Sequence, residues 1–189
     1  MNKAHLEFCG GAEWAGVLRA YVIPWTVGSV DLGEHLLEAG PGPGATTEIL
    51  RAMVPAMTAI EIDPELAAQL RGKLTGTNVT VVEGDATKLP FGDGHFSAAI
   101  CLTMLHHVPT PELQDRLLAE LARVVRPGGY VLGSDSLDSD EFRSFHDGDT
   151  CVPMDPATLP GRLSAAGLDE VVVETNEFAL RFAGRVPVA

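Results

Sequence analysis

Basic residues are scarce in this chain: 13 of its 189 residues are lysine or arginine, against 26 aspartate or glutamate, for a formal net charge of −13. No stretch is rich enough in lysine and arginine to release counterions from a phosphate backbone, and an anionic membrane surface would repel the chain. Nucleic acid and membrane are therefore not expected as partners. Cysteine is also rare. Cys9, Cys101 and Cys151 are odd in number, far apart, and lack the C-x-x-C or Cys/His spacing of a zinc site or a disulfide framework. Long apolar runs are missing as well. None approaches the roughly 18 residues of a membrane helix, and no apolar signal core follows residues 1–5. What survives is a cytoplasmic enzyme or binding domain with reduced thiols.

What is present is ordinary globular composition, 46% hydrophobic and 21% charged, in a length that suits one domain. Apolar β-type runs alternate with amphipathic stretches, the pattern of a mostly parallel sheet covered by helices on both faces. Strands are expected at 35–39, 57–62, 78–83, 96–102 and 130–134. Two more, at 171–174 and 178–185, are too close for a helical crossover and must pair antiparallel. Asp63-Pro64 and Thr110-Pro111 each combine a capping side chain with a proline tolerated in the first helical turn. Residues 136–155 read as a long polar loop. Residues 13–21 read as a short helix outside the alternating unit, so residues 1–32 are expected as a helical cap over the active edge of a single unit at 33–189.

The strongest local signal is Gly40-Pro41-Gly42-Pro43-Gly44 after the first strand. Glycines there let the backbone turn tightly and approach a ligand. Alone the signal is ambiguous, because Gly40-x-Gly42-x-x-Ala45 with Glu61 further on also satisfies a dinucleotide fingerprint. Pro41 and Pro43 lack N–H groups, so the loop offers few donors to a pyrophosphate. Glu38, just before the turn, suits an amino group and repels phosphate. Both features fit an amino-acid-bearing nucleoside better than NAD.

With these residues in view, the sequence resembles the class I S-adenosylmethionine-dependent methyltransferases, in particular their small type 11-like branch. The resemblance runs through residues 36–44, 58–65, Val82-Glu83-Gly84-Asp85-Ala86, Leu105-His106-His107-Val108 and Arg126-Pro127-Gly128-Gly129. Pro41 departs from the small residue that many relatives carry there. The resemblance implies a Rossmann-like, seven-stranded, mostly parallel α/β sheet with an antiparallel last strand, and S-adenosylmethionine as cofactor. It places the methionine portion on the backbone of Gly40, Gly42 and Gly44 with Glu38 near the amino end. It gives the ribose hydroxyls to Glu61, the adenine to Ile62, Asp85 and the Ala86 N–H, and the floor below the sulfonium to Leu102 and Thr103. Asp63 is a helix cap first. His106 and His107 are the candidate catalytic base or substrate contacts.

The expected acceptor is a small molecule entering between the N-terminal helix, the His106-His107 turn and residues 136–155. No metal site is expected: His146-Asp147-Gly148-Asp149 hints at one, but no second ligand group accompanies it in the sequence. Two other readings stay open. A NAD(P)-dependent oxidoreductase would need a Tyr/Lys or histidine acid at the substrate edge, and no Tyr130-x-x-x-Lys is present. A non-catalytic nucleoside-binding domain would bind the cofactor without turnover.

Overall fold

A computed structural model of the protein describes residues 2–188; positions 1 and 189, the outer bounds of the expected cap and sheet unit, lie outside it. Four apolar runs form the parallel strands β1 (His35–Ala39), β2 (Ala56–Glu61), β3 (Val79–Glu83) and β4 (Phe96–Leu102). β5 (Val125–Ser136) pairs parallel with β4. β7 (Ala179–Arg185) runs antiparallel between β5 and β6 (Asp169–Thr175). The order is β3-β2-β1-β4-β5-β7-β6, a mostly parallel seven-stranded sheet of the Rossmann-like kind that the resemblance implies.

Strand parity decides what each face buries. Ala99 and Cys101 of β4 point into one apolar cluster and Ala98, Ile100 and Leu102 into another, and Phe96, before the register shift at Phe96/Ala98, joins the first. Every residue of β4 is buried, as a strand covered on both faces requires. On the first face lie α6 (Pro111–Val124) and α8 (Leu159–Ala165). Leu117, Leu118 and Leu121 of α6 are almost wholly buried, each contributing roughly 1.5–3 kcal/mol. On the second face lie α4 (Ala45–Leu50) and the N-terminal helices. α5 (Pro64–Lys73) packs Ala67 and Leu70 against β2 and β3. Asp63 caps it by accepting the N–H groups of Glu65 at 2.9 Å and Leu66 at 3.1 Å, and Thr110 caps α6 through the Leu113 N–H.

Three expectations change. The N-terminal helix is longer than 13–21: α1 (Lys3–Cys9) is followed by α2 (Ala12–Val17), a π-helical turn at Leu18–Val22, and α3 (Ile23–Val27). Pro24, without an N–H, sits just after the π turn, and Gly28 at φ 55° ends the run. β5 begins at Val125, not at residue 130. Val125 pairs with Phe96, the register shifts, and Gly129 passes so close to Ser97 that a Cβ would stand 2.3 Å from its carbonyl oxygen. Within the expected 136–155 loop lies a further helix, α7 (Asp140–Phe145), capped by Ser139, which accepts the Phe142 N–H at 3.1 Å. Among the described residues no helix is long and apolar enough to cross a membrane.

Candidate functional site

β1 leads to β2 on one side while β4 lies on the other, so the chain reverses direction across the sheet at this point. Such a switch leaves a crevice beyond the carboxyl ends of the two strands. The glycine loop turns there, with Gly40 at φ 67°, Gly42 at 52° and Gly44 at 85°. A Cβ on Gly40 would stand 2.8 Å from Cε of Met104. Glu61, at the tip of β2 and 6% exposed, spans the loop ends. Its Oε2 accepts the Gly42 N–H at 2.9 Å, and its Oε1 accepts the Asp63 N–H at 3.0 Å.

These tips open onto a cavity of about 440 Å³, within the usual range for a small-molecule site. Of the residues expected at the site, Gly40, Gly42, Glu61, Ile62, Asp85, Ala86, Leu102, Thr103 and His107 line it. Ile62 is 67% exposed, an apolar side chain held at the rim. Asp85 turns one carboxylate oxygen to the Thr87 N–H at 2.8 Å. Thr103 holds the left-handed conformation at φ 51° where β4 ends. Four carboxylates line the cavity (Glu61, Asp63, Asp85 and Asp149), and no lysine or arginine is among the described lining residues. That environment favours a cationic ligand and disfavours a pyrophosphate.

Glu38, Gly44 and His106 do not line the cavity. Glu38 sits inside β1, 1% exposed, where its two oxygens accept the hydroxyls of Thr46 and Thr47. Burial pushes its carboxyl up to about 7 against the pull of those hydroxyls. Thr46, which does line the cavity, stands between Glu38 and the open space. Gly44 serves packing: a Cβ there would stand 2.3 Å from Cδ1 of Leu70 in α5. His106 is buried, with Nδ1 2.5 Å from Asp135 Oδ1.

Several lining residues were not singled out as site residues in the sequence. Cys9 and Leu18 come from the N-terminal helices, Met104 and Val108 flank the histidine pair, and Asp149 and Thr150 follow α7. Trp14, in the short helix expected at residues 13–21, also lines the cavity. The sequence showed no second ligand group near His146, but the fold supplies one. His5, His106, His107 and His146 gather with one ring nitrogen each within 4.8 Å of the others. Burial, helped by the neighbouring imidazoles, pushes His107 down to about 3 and His5 to about 4.

The methyltransferase-domain family model matches residues 37–133, half of the chain. The chain is 33% identical over 110 residues to ribosomal RNA small subunit methyltransferase A of Acidithiobacillus ferrooxidans, covering 56% of this chain and 40% of that protein. It is 35% identical over 106 residues to fatty-acid O-methyltransferase of Mycolicibacterium smegmatis, covering 55% of this chain and 38% of that one. The chain therefore spans well under half the length of these curated relatives. Among solved structures, a SAM-dependent methyltransferase from Aquifex aeolicus aligns with a TM-score of 0.75 at 19% identity, over 98% of this chain and 99% of that one. These relatives correct one expectation: nucleic acid is not excluded as a partner, because a protein 33% identical over 56% of this chain is a ribosomal RNA methyltransferase. Net charge is a sum over the whole chain and does not fix what a local patch contacts.

Proposed function

The chain belongs to the methyltransferase-domain family; on that premise we propose that it is an S-adenosylmethionine-dependent methyltransferase whose acceptor is a small molecule with an apolar body, bound beside Met104 and His107. The observation that carries this is the apolar lining that Trp14 and Leu18 supply from the N-terminal helices and Met104, Val108, Leu113 and Leu117 from the other face of the sheet, in the same cavity as the carboxylate-bearing strand tips. An apolar body placed there leaves water, at roughly 25 cal/mol per Å².

The residues at the strand tips fit the cofactor. Its cationic sulfur and ammonium suit a lining with four carboxylates and no basic side chain. In this reading Glu61 accepts the ribose hydroxyls, Asp85 accepts the adenine amino group, and the exposed Ile62 covers the ring. Ala86 offers its N–H to a ring nitrogen, and the backbone of Gly40 and Gly42 holds the methionine end. Glu38 acts at one remove, by fixing Thr46 through its hydroxyl. Leu102 and Thr103 form the floor.

When bound, S-adenosylmethionine supplies a methyl group on a positively charged sulfur, an activated leaving group. The protein's task is then to orient the acceptor in a dry crevice, worth on the order of 7–11 kcal/mol. His107, its pKa pushed down by burial and its Nδ1 turned to the Thr150 carbonyl oxygen, shapes the acceptor wall in this reading. His106 does not reach the cavity and has no direct part. The N-terminal helices act as a cap, because Trp14 and Leu18 close the acceptor side. The enzyme works in the cytoplasm in this reading, where the free thiols Cys9, Cys101 and Cys151 stay reduced.

The test is methyl transfer from radiolabelled S-adenosylmethionine into cell extract separated into small-molecule, RNA and protein fractions. Label in the small-molecule fraction, extractable into organic solvent, is the expected result. Label confined to RNA or protein overturns the acceptor assignment while leaving the cofactor reading intact.

A further inference from the structure

The four-histidine cluster shows an ordered division of ring nitrogens. His146 Nδ1 lies 2.7 Å from the Phe142 carbonyl oxygen, and His107 Nδ1 lies 3.1 Å from that of Thr150. A carbonyl can only accept, so both Nδ1 atoms carry hydrogen and both Nε2 atoms present lone pairs. Asp135, fully buried, accepts the backbone N–H groups of His106 at 3.0 Å and Ser136 at 2.8 Å. The same carboxylate takes His106 Nδ1–H at 2.5 Å, so a neutral His106 ring likewise presents a lone pair at Nε2. Between neutral rings, the Nε2 atoms of His106 and His146 then face each other at 3.1 Å as two lone pairs. His107 Nε2 and His5 Nδ1 are buried without a hydrogen-bond partner. Two facing lone pairs and two orphaned nitrogens are costly in a protein interior. A cation at their centre resolves all four at once.

We propose that His5, His106, His107 and His146 bind a zinc ion through His106 Nε2, His107 Nε2, His146 Nε2 and His5 Nδ1. Imidazole nitrogens suit zinc, and four of them without a water make a closed, structural type of site. Zinc–nitrogen distances of about 2.0–2.1 Å set donors about 3.3 Å apart. The widest donor pair here, at most 4.8 Å, closes by about 1.5 Å to reach that geometry. The hydrogen bonds from Nδ1 to Asp135, Phe142 and Thr150 are the supports that orient metal-bound histidines. Asp135 and Asp149, whose Oδ2 lies 3.7 Å from His5 Nδ1, supply negative charge against the dication.

The ion joins three distant stretches: α1 through His5, the turn after β4 through His106 and His107, and the segment after α7 through His146. Two of these, with His107 itself, border the cavity through Cys9, Asp149 and Thr150. The metal therefore fastens the cap and the 140–150 segment to the rim of the acceptor site.

The experiment uses full-length protein without a polyhistidine tag, stripped by chelator and titrated with Zn²⁺ against a chromophoric competitor. One tightly bound zinc per chain is expected. His5→Ala and His146→Ala should weaken binding by about 100-fold or more, and Asp135→Asn by about 10–100-fold. S-adenosylhomocysteine binding reports that each variant is folded. Absence of stoichiometric zinc in the wild type, or equal affinity in His5→Ala and His146→Ala, overturns the proposal. If the variants do not fold, Co²⁺ added to the wild type decides. The intense visible bands of a four-coordinate nitrogen site support the proposal, and the pale spectrum of hydrated Co²⁺ overturns it.

Discussion

Glu61 holds Gly42: Oε2 at the tip of β2 accepts the N–H of the central loop glycine at 2.9 Å, while Oε1 takes the N–H of Asp63. One carboxylate thus fixes the turn after β1 and the entry to α5, and its side chain also lines the cavity. Replacing Glu61 with alanine should weaken S-adenosylmethionine binding by about 1–3 kcal/mol, by leaving the ribose hydroxyls and the Gly42 N–H without a partner. Calorimetry measures this directly. Unchanged affinity removes Glu61 from the cofactor site.

Glu38 gives the fold a pH dependence of definite sign. Burial raises its carboxyl from 4.5 to about 7, so the folded protein holds this proton more tightly than the unfolded chain. The stability it contributes is fully present below about pH 4.5 and is lost as pH rises through about 7. The full difference is roughly 3 kcal/mol. Glu38→Gln cannot titrate, so wild-type stability minus variant stability should fall across that window in urea unfolding. A flat difference means that Glu38 is not shifted.

At Gly40 two effects combine. The backbone lies at φ 67°, and an added Cβ would meet the flexible end of Met104 at 2.8 Å. Met104 Cγ and Cβ would stand at 3.0 and 3.1 Å as well, and the left-handed strain adds about 1–2 kcal/mol. Gly40→Ala should lower stability by that amount and weaken cofactor binding as well. Retained affinity together with lost stability would separate the loop's conformation from its role at the ligand.

The cap is best tested by a point substitution. Removing residues 2–21 would delete Leu18, which is fully buried in the core, and would damage the fold itself. Trp14 is only half-buried yet lines the cavity. Trp14→Ala should raise the acceptor KM by about 10-fold through lost apolar contact, with cofactor affinity little changed. An equal loss of both places Trp14 in the common structure and not at the acceptor.

Features written in neighbouring residues are legible in the sequence. The caps at Asp63 and Thr110 are local hydrogen bonds between positions two or three apart. The parallel strands follow from apolar runs bounded by glycine and proline. α7 also carries a local signal: Ser139 before Asp140 and Glu141 is a capping residue followed by two acids in the first turn. The histidine cluster was not legible, because residues 5, 106, 107 and 146 share no spacing and meet only through tertiary packing. Glu38 misled for a similar reason. Its position before the glycines suggested a ligand contact, but the first turn of α4 places Thr46 and Thr47 over its carboxylate.

The most direct measurement is a crystal structure with S-adenosylhomocysteine bound. The account predicts the ribose hydroxyls on the Glu61 carboxylate, the adenine amino group on Asp85 with Ile62 across the ring, and sulfur facing Thr103 and the apolar wall. A ligand lodged elsewhere, or a crevice filled by Met104 and Trp14 with no adenosyl density, would contradict it.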